Sequence, residues 1–114
     1  MKLVKTRRFT ALVTVGFPAS AEAKSEDISF TAHFVALSKS ELKEFDLTSD
    51  VSVEAFLRRV LVGWEGIVDD TEGGVAHPLL FRPETVSLLL DDLAITRALL
   101  KAYIEAMAGL IRGN

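Results

Sequence analysis

No cysteine occurs in the 114 residues of the chain. That absence excludes disulfide frameworks, thiolate zinc sites and thiol nucleophiles together. Histidine is almost as scarce, with His33 and His77 the only imidazoles. Basic charge is not in excess either: 13 Lys and Arg stand against 16 Asp and Glu, for a net charge of -3. No nucleic-acid interface is expected, because such surfaces neutralise phosphates with a surplus of Lys and Arg. Long apolar runs are missing too, and none approaches the ~20 residues of a membrane helix, so no membrane span is expected. The sequence contains no G-x-S-x-G, no G-x-G-x-x-G and no Walker loop, the usual marks of nucleophilic and nucleotide chemistry.

What is present is apolar side chain. It makes up 49% of the residues, enough to bury a core at this length, and the length suits a single domain over 1–114. The start of the chain reads two ways. Lys2, Lys5, Arg7 and Arg8, an apolar stretch from Phe9 to Phe17, and Ala21-Glu22-Ala23 trace a secretory signal with an A-x-A cleavage site. Thr10, Thr14 and Gly16 interrupt that stretch, however, and Phe9, Ala11, Val13 and Val15 fall on alternate positions. Period-2 alternation suits a half-buried strand, whereas a signal core needs none. A secreted small domain with a cleaved leader is the alternative that pattern alone leaves open.

Ile28, Phe30, Ala32 and Phe34 alternate with Ser29, Thr31 and His33, the clearest strand pattern in the chain. With Pro18 to Lys24 as a loop, residues 1–37 form an expected antiparallel hairpin. A lone hairpin is marginal in water, and the rest of the sequence offers only helices to cover it. About four are expected in 38–114. Ser38 with Glu41 makes a capping box for a short first helix bearing Leu42 and Phe45. Ser49 or Asp50 caps a second, in which Val53, Phe56, Leu57, Val60, Leu61 and Trp64 fall on one helical face. Gly63 and Gly66 bracket its expected end. A turn region at 67–78 follows, with Ile67-Val68 and Val75-Ala76 able to pair as a short ribbon. Pro83 suits the first position of a third helix carrying Val86, Leu89 and Leu90. Asp91 or Asp92 caps the fourth, which runs to about Arg112. The fold class is thus α+β, an N-terminal hairpin packed on a mainly helical remainder.

The last helix has only a narrow polar stripe, Arg97, Lys101 and Glu105. A helix apolar over most of its circumference is normally buried on several sides, and a domain of this size has little material to surround it. Leu93, Leu100, Tyr103, Ile104, Met107 and Ile111 are therefore the expected surface for a partner or for self-association. Phe56, Trp64 and Phe81 are expected structural anchors, with an exposed aromatic anchor for a partner as the other reading of Trp64.

Polar candidates are few. Asp69, Asp70, Glu72 and His77 lie within nine residues and could hold a metal or act as acid and base. Their spacing fails the calcium-loop pattern, and a solvated acidic turn is the plainer reading. A small metal-binding or metal-dependent hydrolytic domain is the alternative function that this cluster supports. His33 alternates outward from its strand, and no spacing pairs it with His77.

The order of segments also resembles a known family. Val60-Leu61-Val62-Gly63-Trp64-Glu65-Gly66-Ile67-Val68-Asp69-Asp70, the acidic turn to Gly74, and Pro78-Leu79-Leu80-Phe81-Arg82-Pro83-Glu84 follow one another. A Leu-rich stretch comes next, then a terminal helix with the Ala-Tyr-x-Glu-Ala-like core Ala102 to Ala106, and a basic end Arg112-Gly113-Asn114. Upstream lie Lys5 to Val15, Ile28 to Phe34, and Leu37-Ser38 with Glu41. Together they are similar to the tail assembly chaperones of long, non-contractile-tailed bacteriophages and prophages. Arg82 departs from the small capping residue usual there, and His33 carries no family role. The resemblance implies a protein without enzymatic activity or cofactor, working in the host bacterial cytoplasm. It implies binding to the tape measure protein, which is kept soluble until tail-tube subunits assemble around it. It also implies self-association, and a longer frameshifted form as the route to the tail tube protein.

Overall fold

In a computed structural model, residues 7–17, 26–69 and 77–111 are described. The alternating segments form β1 (Arg7–Phe17) and β2 (Glu26–Ala36), paired antiparallel from Arg7↔Ala36 to Phe17↔Glu26. One face of the hairpin carries Val13, Val15, Phe30, Ala32 and Phe34, all buried. The other carries Thr10, Leu12, Thr14 and Ser29, all exposed. This is the inside–outside alternation of a sheet with one solvated face. The expected loop from Pro18 to Lys24 and the Ala21-Glu22-Ala23 segment lie outside the described residues.

A short α1 (Lys39–Leu42) follows, started by the Ser38–Glu41 box. The Ser38 hydroxyl accepts the Glu41 N–H at 3.2 Å and the Glu41 carboxylate accepts the Ser38 N–H at 3.1 Å. Next comes α2 (Asp50–Val60), burying Val53, Phe56, Leu57 and Val60. Here the structure corrects the sequence reading. The helix does not continue to Trp64. Leu61 turns to extended backbone at φ -81°, ψ 118°, and β3 (Leu61–Glu65) pairs antiparallel with β2. The sheet has three strands in the order β1-β2-β3, so β3 extends the hairpin at its edge while helices remain the cover of its inner face.

Two physical facts explain the error. β1 satisfies one edge of β2 and leaves the other row of backbone donors and acceptors open, and β3 fills it. The register also shifts between His33↔Gly63 and Phe34↔Leu61, which makes Val62 the extra residue of a β-bulge. In a regular strand, residues three apart face opposite sides. One extra residue returns them to the same side. Leu61 and Trp64 both become buried, and their spacing imitates a helical i, i+3 pair.

The chain leaves β3 through Gly66, whose φ of +90° few side-chain-bearing residues adopt. It then forms a two-residue ribbon, β4 (Val68–Asp69) with β5 (His77–Pro78). The ribbon's first arm shares only Val68 with the expected Ile67-Val68, while the second arm is His77–Pro78; Val75 and Ala76 lie outside the described residues. α3 (Pro83–Leu90) starts on proline as expected. Arg82 offers no side-chain cap, and the hydroxyl of Thr85 substitutes by accepting the Arg82 N–H at 2.9 Å and donating to the Leu80 carbonyl at 2.6 Å. α4 (Leu93–Ile111) is capped by Asp92, whose carboxylate accepts the Ile95 N–H at 3.1 Å. α4 lies along β1 and touches α2 and α3, while α2 meets β2 and β3. The architecture is α+β: an antiparallel sheet begun by the N-terminal hairpin, with its inner face under helices.

Candidate partner-binding surface

The periodicity of α4 sorts its residues into three zones. Thr96, Leu99, Ala102 and Tyr103 are buried. Ile95, Ala98, Leu100 and Met107 are half-buried against the same core. Leu93 and Ile104 are each 50% exposed, and Arg97, Lys101 and Glu105 form the solvated stripe. Of the six residues expected to meet a partner, two are thus open and two are half covered. The Ile111 side chain lies outside the described set.

Tyr103 requires a correction: it is not on the surface but only 3% exposed. It stands one helical turn beyond Leu99, on the same face. Its ring packs edge-on against Phe34 at 5.3 Å and Phe56 at 5.0 Å, and beside Phe9 at 5.4 Å. Its hydroxyl accepts the Leu37 N–H at 3.1 Å and donates to the Val35 carbonyl at 3.3 Å. A phenol can be buried here because the end of β2 satisfies its polar tip. Burial pushes the Tyr103 pKa up, and the Leu37 hydrogen bond partly opposes it.

Sequence reasoning missed an apolar groove of about 230 Å³. Val15, Phe17 and Ile28 of the hairpin form one wall, and Ile67, Val68, Leu89 and Ile95 form the other. Ile28 and Val68 stand 46% and 63% exposed at this groove. Among the described residues every lining side chain is hydrocarbon, so the site favours an apolar guest. The groove joins both hairpin strands, the β3–β4 connection, α3 and α4, and no local motif announces a site assembled from that many segments. Gly66 was the one signal available, since a glycine between apolar runs marks a bend or a close approach.

The expected anchors do not line this groove. Phe56 is fully buried and Trp64 is 9% exposed. The Trp64 indole N–H donates to the Leu79 carbonyl at 2.7 Å, and its ring meets Phe81 edge-on at 4.8 Å. Phe81 itself is 40% exposed.

The polar candidates do not converge. His77 and Asp69 face each other in the ribbon's backbone register, and His77 is exposed. Asp70 and Glu72 lie outside the described residues. His33 Nε2 sits 3.8 Å from a Glu65 carboxylate oxygen, too far for a hydrogen bond, and has no hydrogen-bond partner among the described residues. Among the described residues, no three His, Asp or Glu side chains gather as metal ligands. No described helix is long and apolar enough to cross a membrane. A tight surface network joins Ser38, Glu41 and Arg59. The Ser38 N–H and hydroxyl, then the Arg59 guanidinium at 2.8 Å, hold the Glu41 carboxyl below its ordinary pKa.

No family model, no curated protein and no solved structure matches the chain.

Proposed function

We propose that this protein is a non-enzymatic tail assembly chaperone of a long-tailed phage or prophage, binding the tape measure protein and holding it soluble in the host cytoplasm. The observation that carries the reading is the open, wholly hydrocarbon groove between hairpin and helices, together with the uncovered Leu93 and Ile104 of α4. A long helical client presents apolar side chains at i and i+3 or i+4. Such a pair can enter a groove while the client's backbone stays satisfied within its own helix. One groove of this size gives a weak contact. Many copies along one client, or copies associating with one another, raise the total strength without any new contact. A longer frameshifted form would extend the same hold to the tail tube protein.

The test is co-expression with the tape measure protein of the same phage or prophage. The wild-type chain is expected to keep the client in the soluble fraction. Ile104→Asp and Ile28→Asp place a carboxylate on half-exposed positions, so the fold is expected to persist by circular dichroism while client solubility is lost. Undiminished solubilisation by both variants would overturn the proposal.

A further inference from the structure

A second cleft, of about 280 Å³, separates α2 from the start of α3 and has a different chemistry. Its floor is Leu61 and Val86, each less than a tenth exposed. Phe81 and Pro83 form one apolar wall, and Arg58 and Arg82 complete the lining. Among the described residues, no carboxylate lines it. Neither guanidinium is as firmly paired as the neighbouring Arg59. Arg59, next along α2, is held at 2.8 Å by Glu41. Arg58 has only a loose i, i+4 contact to Glu54 at 3.6 Å, in which both side chains are more than 40% exposed. Such a pair contributes little and is readily exchanged. Among the described residues, no carboxylate comes within 4 Å of Arg82, and Glu84 in the first turn of α3 does not pair with either arginine.

The cleft is also held in shape before anything binds. The Arg58 guanidinium donates to Ser87 Oγ at 3.2 Å, tying α2 to α3. Trp64, itself fixed to the Leu79 carbonyl, holds the Phe81 ring edge-on. Thr85 fixes the backbone at Arg82. Preorganised Arg and aromatic groups around a desolvated floor are the composition of interface hot spots.

We infer that this cleft docks an acidic segment of a partner protein, with one aromatic or branched apolar side chain on the Leu61–Val86 floor and flanking Asp or Glu on Arg58 and Arg82. Charge complementarity selects carboxylates, and the apolar floor selects a peptide over a bare anion. A nucleic-acid backbone fits poorly, because two guanidiniums on a chain of net charge -3 cannot track a row of phosphates. The cleft shares no lining residue with the hydrocarbon groove, and this docking does not require the chaperone reading.

The test uses a fluorescein-labelled short peptide with a central Leu-Phe pair flanked by Glu, and its counterpart with Lys in place of Glu. The Glu peptide is expected to bind the full chain with affinity that falls as salt rises, and the Lys peptide to bind at least about tenfold more weakly. Arg82→Glu, at a side chain without an ion-pair partner among the described residues, is expected to weaken the Glu peptide about tenfold. Phe81→Ser, at a partly exposed ring, is expected to weaken it without loss of helical signal. Equal binding of the two peptides, or unchanged binding by both variants, would sink the inference. So would full competition by inorganic phosphate or a DNA duplex, which would reveal a general anion site. Sedimentation showing that a second copy already fills the cleft would overturn it as well.

Discussion

A phenol at position 103 combines two roles that no aliphatic side chain could. Its ring joins Phe9, Phe34 and Phe56, and its hydroxyl serves two backbone groups at the end of β2. Tyr103→Phe keeps the ring and strands the Leu37 N–H and the Val35 carbonyl. The expected cost is ~1–3 kcal/mol, read as a fall in denaturation midpoint. The same residue sets a pH response. Folding raises its pKa above the ordinary value of 10.0, so its contribution is complete below pH ~10 and is lost as pH climbs through the raised value. Alkaline unfolding is expected to be shallower in Tyr103→Phe than in the wild type. The chain has one tyrosine, so its ultraviolet titration reads this group alone. Glu41 works in the opposite direction: its lowered pKa stabilises fully above the ordinary 4.5, and that contribution is lost as pH falls through the lowered value. Little of this role of Tyr103 was legible in the sequence. Its position on the apolar arc of α4 was legible, but the backbone groups that satisfy its hydroxyl lie 66 and 68 residues away, and no local pattern encodes them.

Among the elements, the two hairpin strands, the Ser38–Glu41 box, the proline start of α3 and the Asp92 cap of α4 were all readable, because each rests on neighbours within a few residues. β3 was not. A bulge converted strand spacing into helical spacing, and the partner that stabilises Leu61–Glu65 stands thirty or so positions earlier on β2. Gly66 and Gly109 separate local backbone demand from ordinary helix propensity. Gly66 has φ +90°, so Gly66→Ala is expected to destabilise by ~1–2 kcal/mol. Gly109 sits within α4, and an added Cβ there meets nothing within 4 Å. Gly109→Ala is expected to stabilise by up to ~1 kcal/mol. Urea midpoints moving in opposite directions would confirm both assignments, and movement in the same direction would refute one.

For the molecule as a whole, Trp64 stands where the sheet meets the chain returning from the ribbon toward α3. It is the only tryptophan, so its emission reports sheet packing, whereas far-ultraviolet circular dichroism chiefly reports the helices. One shared core runs from Val13 and Phe30 through Phe56 to Leu99, and the two signals are expected to change together in urea. Separate midpoints would mean that the hairpin and helices melt as distinct units. Function was less legible than fold at this scale. The greasy arc of α4 could be read from its sequence, while the groove and the arginine cleft exist only once distant segments meet. The tyrosine clamp carries one further consequence. Sliding α4 by a single turn would carry the phenol ~5.4 Å from both backbone groups, and rotating the helix about its axis would swing it off them. The compass bearing of Ile104, the very next side chain, is therefore set by its neighbour, and any visitor to that flank finds it always facing the same way.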